Sequence, residues 1–225
     1  MESKIHLILR KALHISLLLL LLIFSGFMIR LTLSYFSFET NVAFLQIKQW
    51  VFKEYGGLVS NIWIVAFYIH VFTSLLALIA GFTQFNRKLL NSNVHRVIGG
   101  VYIVVILLLT GPSGLIMGLL ANGGIFSIIA FTLLSVLWWF NTFMAYRTVK
   151  QKQYDRHAKY MFRSYALTLS AITLRLWKFT IVNYIYEIPP MDLYRLVAWL
   201  GWVPNLVIAE LMIFKGWPQR ILNKN

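Results

Sequence analysis

Six apolar segments, at about residues 12–36, 61–84, 96–120, 124–146, 158–183 and 194–214, constrain this chain more than any other feature. Each exceeds the ~20 residues an α-helix needs to cross about 30 Å of hydrocarbon. The connections are short apart from residues 37–60, so there is no room for a separate soluble domain. The expected fold is therefore all-α: one integral membrane domain over residues 1–225, a polytopic six-transmembrane-helix bundle. Composition agrees. The mean hydropathy is +0.71. Only 12% of residues are charged, against roughly a quarter in soluble proteins.

A formal charge of +14 would suit nucleic acid, but its distribution points to orientation instead. Lys4, Arg10 and Lys11 precede the first span, and Arg87, Lys88 and Arg96 lie between spans two and three. Arg147, Lys150, Lys152, Arg156, Lys159 and Arg163 surround the junction of spans four and five, and Lys215, Arg220 and Lys224 follow the last. The opposite side holds Arg30, Lys48, Lys53, Lys178 and Arg195, leaving Arg175 inside the membrane. That alternation predicts cytoplasmic N and C termini in a bacterial inner membrane. It also predicts attraction to anionic lipid headgroups. The absence of cysteine excludes disulfides, thiolate chemistry and iron–sulfur ligation. The basic N-terminus and its apolar run resemble a signal peptide. The run is long and no clear cleavage site follows it, so a retained first helix is expected.

Polar residues fall into stripes. In span five, His157, Met161, Ser164, Thr168, Ala171 and Arg175 recur every three or four residues, which at about 100° per residue is one helical face. An ionisable group facing lipid costs several kcal/mol, so this face looks at protein, water or a ligand. Span two carries His70, Ser74, Ala77, Gly81 and Gln84 on one face, and small residues there allow close helix approach. Span four carries Ser135, Trp139, Thr142 and Tyr146. Asn91, Ser92 or Asn93 caps span three, and Gly99 and Tyr102 share the His95 face. Thr110–Gly114 is expected to kink or loosen that helix. Asn122–Gly123–Gly124 reads as a tight turn into span four. Residues 37–60 form an outer loop, with 40–55 amphipathic enough for an interfacial helix.

His95 opens span three and His157 opens span five, so both lie at the cytoplasmic end at similar depth. Two histidines on different helices at one level suit bis-imidazole ligation of haem or another transition metal. They equally suit an interfacial anchor beside Arg96 and Arg156. His6 and His14 lie at the start of span one. His70 lies near mid-membrane, where a functional role and a structural hydrogen bond compete. Glu210, the acid within a span, is placed to meet His95, His157 or Arg163. Arg175 lacks an obvious acid and would snorkel, meet carbonyls or bind an anion.

The segments H70VFTSLLALIAGFTQF, N93VHRVIGGVY, A145YRTVKQKQYDRHAKYMFRSYALTLSAITLR and W202VPNLVIAEL resemble a family of bacterial multi-span membrane proteins defined as a domain of unknown function. The resemblance covers roughly residues 60–214 and carries no established activity. It implies that His70, Gln84, His95, Arg96, His157, Arg163, Arg175, Asn205 and Glu210 occupy the family's motif positions. A more distant likeness is to six-helix b-type transmembrane cytochromes. It implies at most one haem b, because span four has no histidine to partner His70.

Three functions follow. The first is a redox protein with one haem on His95 and His157, and with Arg96, Arg163 and Tyr102 near its propionates or edge. The second is a transporter or a binder of lipid or small anions, in which His70 and Arg175 contact the ligand. Gln84, Ser164, Thr168 and Asn205 are its further polar residues. The third is an accessory subunit docked on a larger membrane protein or on copies of itself. The redox reading leads. A hydrolase is disfavoured, because metal hydrolases need three ligands and a carboxylate at one depth.

Overall fold

The computed structural model describes residues 19, 23–37, 43–84, 90, 92–185 and 187–222. The opening part of expected span one, with His14, lies outside the described residues, as do His6, Arg87 and Lys88. The described elements are all helical: α1 (Ile23–Leu33), then α2 (Ala43–Gln46), α3 (Gln49–Gln84), α4 (Asn93–Val105), α5 (Gly111–Leu119), α6 (Ile125–Lys150), α7 (Tyr154–Thr168), α8 (Ser170–Thr180), α9 (Pro190–Leu200), α10 (Val203–Phe214) and α11 (Trp217–Leu222). Phe52–Phe82, Asn93–Leu119, Ile125–Lys150 and Pro190–Phe214 are long and apolar enough to cross a membrane.

The expected spans one and five are not among these four. Only Ile23–Leu33 of the first is described as an apolar helix. The fifth is divided at Leu169 into α7 and α8, so neither half reaches spanning length. The described part of residues 37–60 is more helical than a loop. It holds α2 and the start of α3, which breaks at Gly56 (φ 76, ψ −179), a backbone open to glycine.

The sequence TGPSG shapes the third span. Pro112 has no N–H to give Leu108, and the helix responds with a π-helical turn over Ile106–Thr110. The Gly111 N–H reaches back five residues to Ile106. This bypasses the Leu107 carbonyl, which accepts instead from Trp139 Nε1 at 3.0 Å. Neighbouring side chains thus satisfy what the proline disturbs, the condition for irregular backbone at membrane depth. The turn after α5 uses left-handed glycines, Gly123 (φ 84) and Gly124 (φ 73). Arg195 of α9 fastens it by donating to the Gly123 carbonyl at 2.8 Å.

α7 lies along α6 and against α10, α3 packs on α4 and α5, and α8 packs on α9. The main core joins α3, α4, α6 and α7 through Ala77, Tyr102, Ile106, Trp138, Ala145, Tyr165 and Leu167. Leu58, Leu108, Phe126, Val136 and Ile208 are exposed, as apolar side chains facing lipid would be.

Candidate functional site

The polar stripe of span five faces protein along its middle. Met161, Ser164 and Thr168 are buried, while His157, Ala171 and Arg175 are half-buried. Ser164 and Thr168 belong to a hydrogen-bonded knot with Tyr102 of α4 and Trp138 and Thr142 of α6. Tyr102 Oη lies 2.8 Å from both Ser164 Oγ and Thr168 Oγ1. Thr142 Oγ1 lies 2.7 Å from Ser164 Oγ, and Trp138 Nε1 donates to Thr168 Oγ1 at 3.0 Å. Two of the hydroxyl protons are committed to carbonyls, Thr168 to Ser164 and Thr142 to Trp138. The remaining protons, on Tyr102, Ser164 and Trp138, have four contacts to serve. The knot is saturated and fixes helix packing. Trp138 was missed in the sequence because its indole sits in an aromatic run that gives no sign of a polar partner.

At one end of the bundle, His157 Nδ1 donates to the Ala145 carbonyl at 2.8 Å. His95 and His157 lie within electrostatic reach of one another. The backbone N–H of His95 is capped by Ser92 Oγ at 3.2 Å, while its Nδ1 is buried without a hydrogen-bond partner among the described residues. Arg96 is exposed and Gln84 is buried. The Gln84 amide rests on Gly99, where a Cβ would meet its Oε1 at 2.7 Å. Arg163 and Glu210 form a two-point ion pair, Nε to Oε1 at 2.5 Å and Nη2 to Oε2 at 2.9 Å. No group of three histidine or acidic side chains suited to a metal ion occurs among the described residues.

Asn205 secures two helix breaks. Its Nδ2 meets Thr173 Oγ1 at 2.9 Å and the Ala166 carbonyl at 3.2 Å. Thr173 donates in turn to the Gly201 carbonyl. α10 is thereby tied to α7 and α8 near the points where the two helix pairs are interrupted.

The second polar region lies deeper. His70 Nδ1 lies 3.0 Å from the carbonyl oxygen of Thr110, and Thr110 Oγ1 donates to Thr73 Oγ1 at 2.9 Å. Gly114 makes room for the imidazole, since a Cβ there would meet His70 Cε1 at 2.9 Å. Arg175 interacts electrostatically with His70 and with Tyr35. Its Nη1 donates to the Ala171 carbonyl at 2.6 Å. A guanidinium carries five N–H donors, and no carboxylate pairs with this one among the described residues. Arg175 thus lies within electrostatic range of His70, in a region apart from His95 and His157. Tyr35 was not singled out in the sequence, because it lies in the turn after α1, where no polar stripe points to it.

The family model described as "Predicted membrane protein (DUF2306)" matches residues 67–213. The chain belongs to this family. The match spans both polar regions and begins just before His70, so Tyr35 falls outside it. No curated protein and no solved structure matches this DUF2306 member.

Proposed function

We propose that this protein binds a small anion, or the anionic head of a lipid, at a membrane-embedded site formed by Arg175 and His70. One observation carries the reading: a half-buried arginine within electrostatic range of a histidine and a tyrosine, with no carboxylate partner among the described residues. An uncompensated guanidinium in a low-dielectric surrounding costs several kcal/mol, and an anion removes that cost while using its free donors. His70 gives Nδ1–H to Thr110, which leaves Nε2 for a ligand hydroxyl or a protonated acid. The π-helical turn and the paired breaks tied by Asn205 would let the site open. The topology we adopt has six spans and cytoplasmic termini in a bacterial inner membrane, supported by the basic residues gathered beyond spans four and six.

Isothermal titration of hexanoate and of dihexanoyl phosphatidate into the detergent-purified protein tests this. Arg175→Ala should weaken binding about 10- to 100-fold, the worth of a charge-assisted hydrogen bond, and Arg175→Lys should weaken it less. Equal affinity in Arg175→Ala would overturn the reading.

A second reading keeps a redox role with one haem b on His95 and His157. Its support is the His157 Nδ1–H bond to a backbone carbonyl, which leaves Nε2 directed elsewhere as in metal-ligating histidines. Haem needs only two protein ligands, so the lack of a third nearby donor is compatible with it. A Soret band lost on replacing both histidines is the expected sign, and purified protein without such a band counts against it.

A further inference from the structure

We propose that a basic cleft at the α6–α7 turn is a separate binding site for a phosphate-bearing anion. The cleft encloses about 460 Å³, and Arg147, Arg156, Lys159 and Arg163 converge on it together with Gln153 and Tyr160. Local carboxylates neutralise two of the four cations: Asp155 holds Lys159 at 2.7 Å, and Glu210 holds Arg163 at 2.5 Å. Arg147 has no carboxylate partner among the described residues. Among the described residues, the polar partner of the Arg156 side chain is an amide oxygen, that of Gln153 at 3.2 Å. Two positive charges are therefore left over at one concave place.

The cleft is held in shape from several sides. Gln219 of α11 donates to Asp155 at 2.5 Å, and Arg163 lies over the Tyr160 ring at 5.6 Å. It occupies the last turn of the apolar helix Ile125–Lys150 and the first turns of α7. Cations at the end of a spanning helix stand at the level of lipid phosphates. Guanidinium groups match phosphate in shape as well as charge, because paired N–H donors meet paired oxygens. Asp155 and Glu210, already engaged, leave phosphate the better ligand for Arg147 and Arg156. The source of the phosphate is a lipid headgroup or a free phosphate ester, and the chemistry is shared. This site stands independently of the Arg175 reading.

The full-length protein in neutral detergent, incubated with equal amounts of phosphatidylglycerol and phosphatidylcholine, is examined by native mass spectrometry. Wild type should retain phosphatidylglycerol preferentially. Arg147→Gln with Arg156→Gln should lose the preference by roughly 25-fold, about fivefold for each cation near a headgroup. Lys53→Gln, an exposed cation on the opposite side in the adopted topology, should leave it unchanged, which separates the cleft from a general loss of positive charge. A parallel thermal-shift series compares sodium phosphate with sodium chloride at equal ionic strength, without lipid, on wild type and on the double variant. Lipid preference without a phosphate-specific shift assigns the cleft to headgroups. A phosphate-specific shift absent from the double variant assigns it to free phosphate esters. A double variant that binds like wild type overturns the proposal, and so does a wild type with neither preference nor shift.

Discussion

His70 of α3 and Thr110 of the third span meet across a bond that only one tautomer can make. A carbonyl accepts, so the 3.0 Å contact requires the proton on Nδ1. Gly114 is what lets the ring reach it. A methyl group at that position would lie 2.9 Å from Cε1 and 3.1 Å from Nδ1. Gly114→Ala should therefore push the imidazole off Thr110 while leaving the helix intact. Nitrogen-15 NMR of selectively labelled histidine should show the Nδ1–H tautomer for His70 in wild type and a mixed population in the variant. An Nε2–H signature in wild type would contradict the assignment.

Tyr165 sets its ring edge against Gly81, and that contact limits the approach of α3 and α7. A Cβ at Gly81 would collide with ring atoms Cε2 and Cδ2, nearer than any side chain tolerates. Gly81→Ala should destabilise the protein by about 1–3 kcal/mol, as overpacked cores do. The loss should shrink in a Tyr165→Leu background, because the pair shares one volume and the effects cannot add. Thermal unfolding in detergent measures both. An equal penalty in the two backgrounds would remove Tyr165 as the cause.

The hydroxyl knot makes an uneven pair of predictions. Tyr102→Phe removes one donor that others can replace: Ser164 can turn its proton to Thr142, and Thr168 still accepts from Trp138. Thr168→Val, nearly the same size as the original, leaves Trp138 Nε1 buried without its acceptor. A stranded buried donor costs about 1–3 kcal/mol, whereas a hydrogen bond lost with both ends satisfied costs about 1 or less. Thr168→Val should therefore be the more damaging change. Unfolding followed by tryptophan fluorescence gives the order, and the reverse order would refute this account of the network.

These contacts mark how far the sequence could be read. Long apolar runs announce spanning helices because bilayer thickness fixes their length, and three- and four-residue spacing showed that Ser164 and Thr168 face inward. The same spacing put Trp139 and Tyr146 on a stripe with Ser135 and Thr142, yet both aromatics are exposed. Periodicity gives a face but not its width. The Arg163–Glu210 pair was one of three options for Glu210, because depth along a helix is legible while rotation against a neighbour is not. The break at Leu169 left no mark, since Leu and Ser suit a helix, and the Asn205 contacts on either side of it come from another helix. Tyr35 comes within electrostatic range of Arg175 from the turn after α1, where the sequence carries no polar pattern. Contacts between segments far apart in the chain depend on packing, and no local pattern encodes them.

Lys48 yields the last prediction. It lies outside the apolar helix Phe52–Phe82, is buried, and donates to the Leu120 carbonyl at the end of α5. Its ammonium sits 5.2 Å from the Trp63 ring centroid. Burial disfavours the charged form and lowers its pKa from 10.5 to about 8. The unfolded chain therefore holds more protons than the folded one between about pH 8 and 10.5. In that window stability must rise with pH, and below about 8 the cost of burying the charge is fully present. The neutral amine still donates to Leu120, so deprotonation does not break the contact. Melting temperatures of wild type and Lys48→Met should be compared from pH 7 to 10.5. Wild type should gain on the variant as pH rises, mostly above pH 8. A difference that stays flat across that range would mean the Lys48 ammonium is solvated in the folded protein.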